Sequence, residues 1–148
     1  MIVEQLYAPT AKDQLSGLAQ RRWFSSIGSA SLTATSLPID FEIVPPDVVR
    51  FVQTICVSGT PGAAQRLQAC HATIQAAGAP ITSTFIWTFN PPNSPDAAFF
   101  TLATGTPYIP VFPGEYVRVT GTFSGSAALN LLGAVLAGFE VPRANLQR

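Results

Sequence analysis

The side chains that most often carry catalysis are scarce in this chain of 148 residues. His71 is its only histidine, Lys12 its only lysine, and Cys56 and Cys70 its only cysteines. A lone histidine excludes a multi-histidine metal site, and two isolated cysteines fall short of the ligand set a structural zinc needs. Cys70 and His71 are adjacent, the residue types of a nucleophile and its base. Neighbours on a strand point to opposite faces, however, and on a helix they diverge, so the two cannot meet. His71 is read as a strand histidine, facing solvent or hydrogen-bonded locally. The two cysteines have a second geometry open to them. A hairpin turning through Gly59–Gly62 would set Cys56 opposite Cys70, with Thr54 near Ala72 and Val52 near Ile74. That leaves a disulfide open, against two reduced, small apolar side chains, which is the expectation for a cytosolic product.

The acids Asp40, Glu42, Asp47, Asp96, Glu115 and Glu140 fall at strand ends or on polar faces and are read as solvated. No calcium loop of the D-x-[DN]-x-[DN]-G kind is present. Gly121, Gly125, Gly133 and Gly138 lie outside any G-x-x-x-x-G-K-[ST] pattern and read as bulges or close-packing positions. An enzyme would be left with generic carboxylates, so no catalytic residue, cofactor or metal is expected. Binding chemistry is better represented. Arg21, Arg22, Trp23 and Phe24 are consecutive and of the types that dominate protein interfaces. Either they contact a partner, or Trp23 and Phe24 cap an open end of this protein's own core.

The elements that must position these residues have a period of two. Leu37, Ile39, Phe41 and Ile43 alternate with polar residues up to Pro45-Pro46. Val48–Ser58 follows, with Phe51, Ile55 and Val57 on one face. Gln65–Ala76 has helical propensity but is read as a strand because its flanking turns would make a hairpin with Val48–Ser58. Ile81–Phe89 sets Ile81, Phe85, Trp87 and Phe89 against a threonine face. Ala98–Thr104 and Tyr108–Phe112 are short strands. Tyr116–Phe123 turns Val117, Val119 and Phe123 inward after a Pro-Gly turn. Leu129–Val141 is apolar on both faces, so it is expected to be covered on both sides. Leu132 and Leu136, with Ala134, form its second apolar face, packed by a loop or by another subunit. About eight strands punctuated by Pro and Gly give an all-β antiparallel sandwich of the jelly-roll kind over residues 31–148. Residues 1–30 are expected to form an N-terminal arm or short helix outside it.

Composition narrows the partners. Hydrophobic residues make up 47% and charged residues 11%, with eight basic and eight acidic side chains balancing to zero. So few charges cannot cover a monomer's surface, which points to an oligomer. No basic stripe exists to attract nucleic acid. The N-terminus lacks a secretory pattern and no apolar run approaches the ~20 residues that span a bilayer, so no membrane partner and synthesis in the cytosol are expected.

Three stretches, FEIVPPDVVRF at 41–51, VFPGEYVRV at 111–119 and GFEVPRAN at 138–145, resemble small tailed-phage virion proteins. The likeness is to capsid decoration, or cement, proteins with a jelly-roll fold, over roughly residues 35–148. The resemblance implies a bacteriophage structural protein on the capsid surface, made in the host cytoplasm. It also implies a homo-oligomer, a trimer in that family, bracing the major capsid protein with residues 1–30 as the reaching element. The alternatives are a carbohydrate-binding jelly-roll module, using Trp23, Trp87, Tyr108 or Tyr116, and a head-fibre or tail component.

Overall fold

The computed structural model describes residues 21–31, 34–62, 65–78, 83–89, 100–103, 109–125 and 129–146. Nine strands run through them: β1 (Arg21–Ser31), β2 (Ser36–Asp40), β3 (Val48–Thr60), β4 (Leu67–Ala76), β5 (Ser83–Phe89), β6 (Phe100–Ala103), β7 (Ile109–Val111), β8 (Glu115–Phe123) and β9 (Asn130–Pro142). A short 3-10 turn, Arg143–Leu146, follows β9.

Their pairing is that of one long hairpin folded back on itself. β1 pairs antiparallel with β9, β2 with β8, β3 with both β6 and β7, and β4 with β5. Two further ladders, β3 with β9 and β4 with β8, close the folded hairpin into two sheets. Their orders are β1-β9-β3-β6, with β7 also on β3, and β2-β8-β4-β5. Apart from the pairs β4 with β5 and β6 with β7, which each stay in one sheet, successive strands cross between sheets in the manner of a jelly roll, so the chain is an all-β sandwich.

The inner faces follow the two-residue period. Leu37 and Ile39 of β2, Val117, Val119 and Phe123 of β8, and Cys70 and Ala72 of β4 meet Val52, Ile55 and Val57 of β3 and Leu132, Ala134 and Leu136 of β9. Each fully buried aliphatic side chain contributes about 1.5–3 kcal/mol. The Pro-Gly turn forms as its residues require. Glu115 N–H donates to the Phe112 carbonyl across Pro113-Gly114, and Gly114 takes φ +83°, the left-handed value of the third position of a type II turn.

Several expectations are corrected. β3 and β4 belong to different sheets, so they form no hairpin. Cys56 instead pairs in register with Val135 and Ala103, and Cys70 with Gly121 and Phe89; both thiols are free. The turn between β3 and β4 serves as a crossover, which a hairpin reading of Gly59–Gly62 cannot distinguish. Phe51 does not share a face with Ile55 and Val57, because a bulge at Gln53 shifts the register between Val52 and Thr54. Val52 turns inward in its place, and Phe51 stacks on Phe139 outside, ring centroids 5.4 Å apart. Ile43 is exposed. Beyond β2 the chain bonds irregularly to β8, Phe41 N–H to the Val117 carbonyl and Val44 N–H to that of Glu115, which turns Val44 inward.

The expected arm over residues 1–30 also changes. Its last ten residues belong to β1, which pairs with β9 from Arg21↔Glu140 to Ser31↔Asn130. Trp23, Ser25, Ile27 and Ser29 are half-buried and alternate with exposed Arg22, Ser26, Gly28 and Ala30. Serine and glycine mask this period in hydropathy. Residues 1–20 lie outside the described residues.

Leu136 faces the core and Val135 the opposite side, so the two separate by substitution. Leu136→Ala should lower unfolding stability by about 2–5 kcal/mol in urea with an unchanged slope. Val135→Ala should cost under about 1 kcal/mol.

Candidate functional site

Among the described residues no three His, Cys, Asp or Glu side chains converge to hold a metal ion. Cys70 is fully buried in the core, while His71 lies on the outer face between Thr120 of β8 and Thr88 of β5. Burial raises the Cys70 thiol to about 12, away from nucleophilic behaviour at neutral pH.

The outer face of β2, β8 and β4 is polar. Arg118 donates from Nε and Nη2 to the two carboxylate oxygens of Asp40 at 2.5 and 2.7 Å, and the Tyr116 hydroxyl donates to Gln75 Oε1 at 3.1 Å. The hydrogen bond to Asp40 is the main reason the Arg118 pKa stands above its ordinary value. A cleft of about 510 Å³ opens beside this network, lined by Asp40, Glu42, Ile43, Gly78 and Tyr116. Of the aromatic rings considered for sugar binding, only Tyr116 lines a cleft described here. Trp23 and Trp87 pack against the core, and Tyr108 lies outside the described residues.

One end of the sandwich holds a buried ion pair that sequence reasoning missed. Arg50 of β3 and Glu140 of β9 are register partners, 3% and 4% exposed. Arg50 donates from Nε and Nη2 to Glu140 Oε1 at 3.0 and 2.8 Å and from Nη1 to the Glu42 carbonyl at 3.0 Å. Its guanidinium also lies 4.1 Å from the centre of the Trp23 ring, a cation–π contact. Glu140, expected on a solvated face, is thus interior. A single arginine within VVRFV and a single glutamate within GFEVP, each in an apolar strand, are the signals that pointed to it.

The candidate interface residues scatter. Trp23 is engaged by Arg50 within the chain, and Arg22 is exposed on the opposite face of β1. Arg21 and Phe24 sit in register with Glu140 and Ala137, and their side chains lie outside the described residues. Leu132 and Leu136, read as the extra apolar face, are 2% and 0% exposed in the core. The parity assignment was inverted: the second face of β9 carries Leu131, Gly133, Val135 and Ala137.

That second face is where an unexplained surface lies. Gly28 of β1, Gly133 of β9 and Ser58 of β3 stand side by side in register. They form a trough of two adjoining depressions, about 400 and 340 Å³, bordered by Leu131 and Thr60 on one side and by Cys56 and Val135 on the other. The stretches that build it, 26–30, 54–60 and 131–137, contain no charged residue and no histidine. Gly133 has an internal reason, since a Cβ there would lie 2.9 Å from Ser58 Oγ. Gly28 has none among the described residues, where the nearest atom to an added Cβ is the Leu132 carbonyl oxygen at 3.7 Å. A glycine inside a strand costs roughly 0.5–1 kcal/mol relative to alanine, so its presence here is not accounted for by packing within the chain.

No family model matches the chain, and no curated protein matches it. Among solved structures it is similar to a chain of infectious bursal disease virus, Gx strain, at 14% identity and TM-score 0.39, covering 86% of this chain and 33% of that one. The Nora virus structure gives 9% and 0.35 over 84% of this chain and 60% of that one, and the decameric BFDV capsid protein 8% and 0.37 over 84% and 99%. The chain thus spans about a third of the first and three-fifths of the second. Identities and scores this low leave function to be argued from the chain's own residues.

Two outcomes test the interior chemistry. Arg50→Met should cost about 3–5 kcal/mol in denaturant unfolding, because it leaves the Glu140 carboxylate buried without its guanidinium. Arg50→Met with Glu140→Leu should recover most of that loss. Cys70 has a folded pKa raised above its unfolded value, so its contribution is intact below the unfolded pKa and lost as pH rises toward about 12. Cys70→Ala should therefore flatten the alkaline fall in stability relative to the parent.

Proposed function

We propose that this chain is a structural subunit of a virion shell, acting by non-covalent association rather than by catalysis. The observation that carries this reading is the uncharged stretch of the outer face of β1, β9 and β3 formed by residues 26–30, 131–137 and 54–60. A protein with a free solvent role ordinarily covers such a face with charge, as β2, β8 and β4 do on the other side. A charge-free surface of small residues around an exposed leucine is suited to contact with protein.

In its finer form the reading is that of a bacteriophage decoration, or cement, protein. Three copies would group on the capsid surface and brace major capsid subunits, after synthesis in the host cytoplasm. The resemblance of residues 41–51, 111–119 and 138–145 to such proteins supports it, as does the jelly-roll strand order. The stabilisation would come from mass action: any partner that binds only the assembled shell shifts its equilibrium against disassembly. The glycan-binding alternative retains one described ring, Tyr116, in the cleft beside Asp40 and Glu42.

Purified protein added to capsids that lack it should bind at a fixed stoichiometry and raise their resistance to heat. A monomer at high concentration that binds no capsid, with no change in capsid melting, removes the reading.

A further inference from the structure

We propose that the part of the outer face of β1, β9 and β3 formed by residues 26–30, 131–137 and 54–60 is a self-association surface on which a second copy of this chain docks across a two-fold axis passing between Leu131 and Gly133. This goes beyond the virion reading, since it concerns the free protein and stands without any capsid.

Three observations on the face select a second copy as the occupant. The first is charge. Near a two-fold axis each residue meets its own kind, so any charged group there would face a like charge. The stretches 26–30, 54–60 and 131–137 contain none. A differently charged partner would find nothing to complement.

The second is shape. Leu131 is 37% exposed and stands two residues from Gly133 on the same face of β9, hence about 7 Å away at the usual rise of a strand. A two-fold axis between them lowers each Leu131 into the partner's trough at Gly28, Gly133 and Ser58. Knob and hollow belong to one strand, which makes the face complementary to itself. The space left by Gly28, where no described residue comes nearer than 3.7 Å to an added Cβ, is then filled from the other chain.

The third is size. Three strands about 4.8 Å apart and seven residues of about 3.4 Å each give a face of roughly 14 by 24 Å. Two such faces total about 670 Å², below the ~1,000 Å² that a stable interface should clear, which suits only a weak, transient contact. The pairing is accordingly weak and reversible, separate from a threefold grouping, which would use other surfaces.

Gly28→Arg tests this directly. Its φ is not in the left-handed region and an added Cβ would make an ordinary contact, 3.7 Å from the Leu132 carbonyl oxygen, so the fold is retained, as circular dichroism and unchanged urea unfolding would show. Sedimentation over a concentration series should show the parent pairing reversibly and Gly28→Arg halving the limiting mass, whether from two copies to one or from six to three. Leu131→Ala should weaken the pairing at least tenfold, while Thr120→Arg, on the polar face of the other sheet, leaves it unchanged. The same limiting mass for Gly28→Arg and the parent overturns the proposal without touching capsid binding. A folded monomeric parent overturns it too. In that case Gly28→Cys on a Cys56→Ala background distinguishes two replacements. A thiol shielded in the monomer means the chain covers its own trough, and a freely labelled one means the trough is open.

Discussion

Arg50 and Glu140 are 90 residues apart, and the ladder between β3 and β9 that joins them is the constraint on which both sheets depend. Without it the chain is a long folded hairpin with no interior. With it, β1 and β9 acquire β3 as a neighbour and an inner face closes over β2, β8 and β4. Such a ladder is entropically expensive because the intervening loop must close before any contact repays it. It is also vulnerable to slippage, since a shift of one residue sends every core side chain outward. Three features oppose that shift. The bulge at Gln53 fixes which positions of β3 face in, and Gly138 passes so close to the Phe51 carbonyl that no Cβ would fit. The ion pair adds a sharper penalty, since a slipped register would bury each charge without the other. A buried pair adds little net stability over an apolar substitute, so its main physical effect here is on register.

Fixing that register also decides what the molecule shows to its surroundings. Inner positions of β9 are consumed by the core, which leaves Leu131, Gly133, Val135 and Ala137 outside. On the other sheet the outer positions are Asp40, Tyr116, Arg118, Thr120 and Gln75, joined by hydrogen bonds and an exposed bidentate ion pair worth at most about 1 kcal/mol. The sandwich is therefore two-faced: one side is solvated, and the other is suited to protein. Charged residues make up 11% of the chain, and none of them falls in 26–30, 54–60 or 131–137.

Much of this was legible in the sequence, and the exceptions have physical causes. β2 and β8 follow from alternation, whereas β4 was read as a strand against its helical propensity on the expectation of a hairpin with β3 that the structure does not form. Strand order was not legible: Gly59–Gly62 has the residues of a hairpin turn, yet only long-range pairing decides whether a turn joins neighbours or crosses to the other sheet. β1 was hidden because Ser25, Ser26, Gly28 and Ser29 give alternation no hydropathic contrast. The outer face of β9 was recognised as a second apolar surface, but inverted, since a strand apolar on both sides does not announce which parity is inward. Arg50 and Glu140 were visible as solitary charges in apolar strands, and only their register reveals that they answer each other.

The trough's composition bears on how such a face can be tolerated at all. Among the described residues β1 lies at the end of its sheet, and after Arg22 it runs to Ser31 without charge, proline or bulge beside the charge-free stretches of β9 and β3. That combination is an aggregation hazard when built from large apolar residues. Here the face is made mainly of Gly, Ser, Thr and Ala, with one exposed leucine, so each contact is shallow. A single pairing is then weak enough to reverse. Repeated across an array, the same contact becomes strong, because every additional tethered contact forms at high effective concentration. Small residues thus reconcile a free chain that stays dispersed with an assembled one that holds.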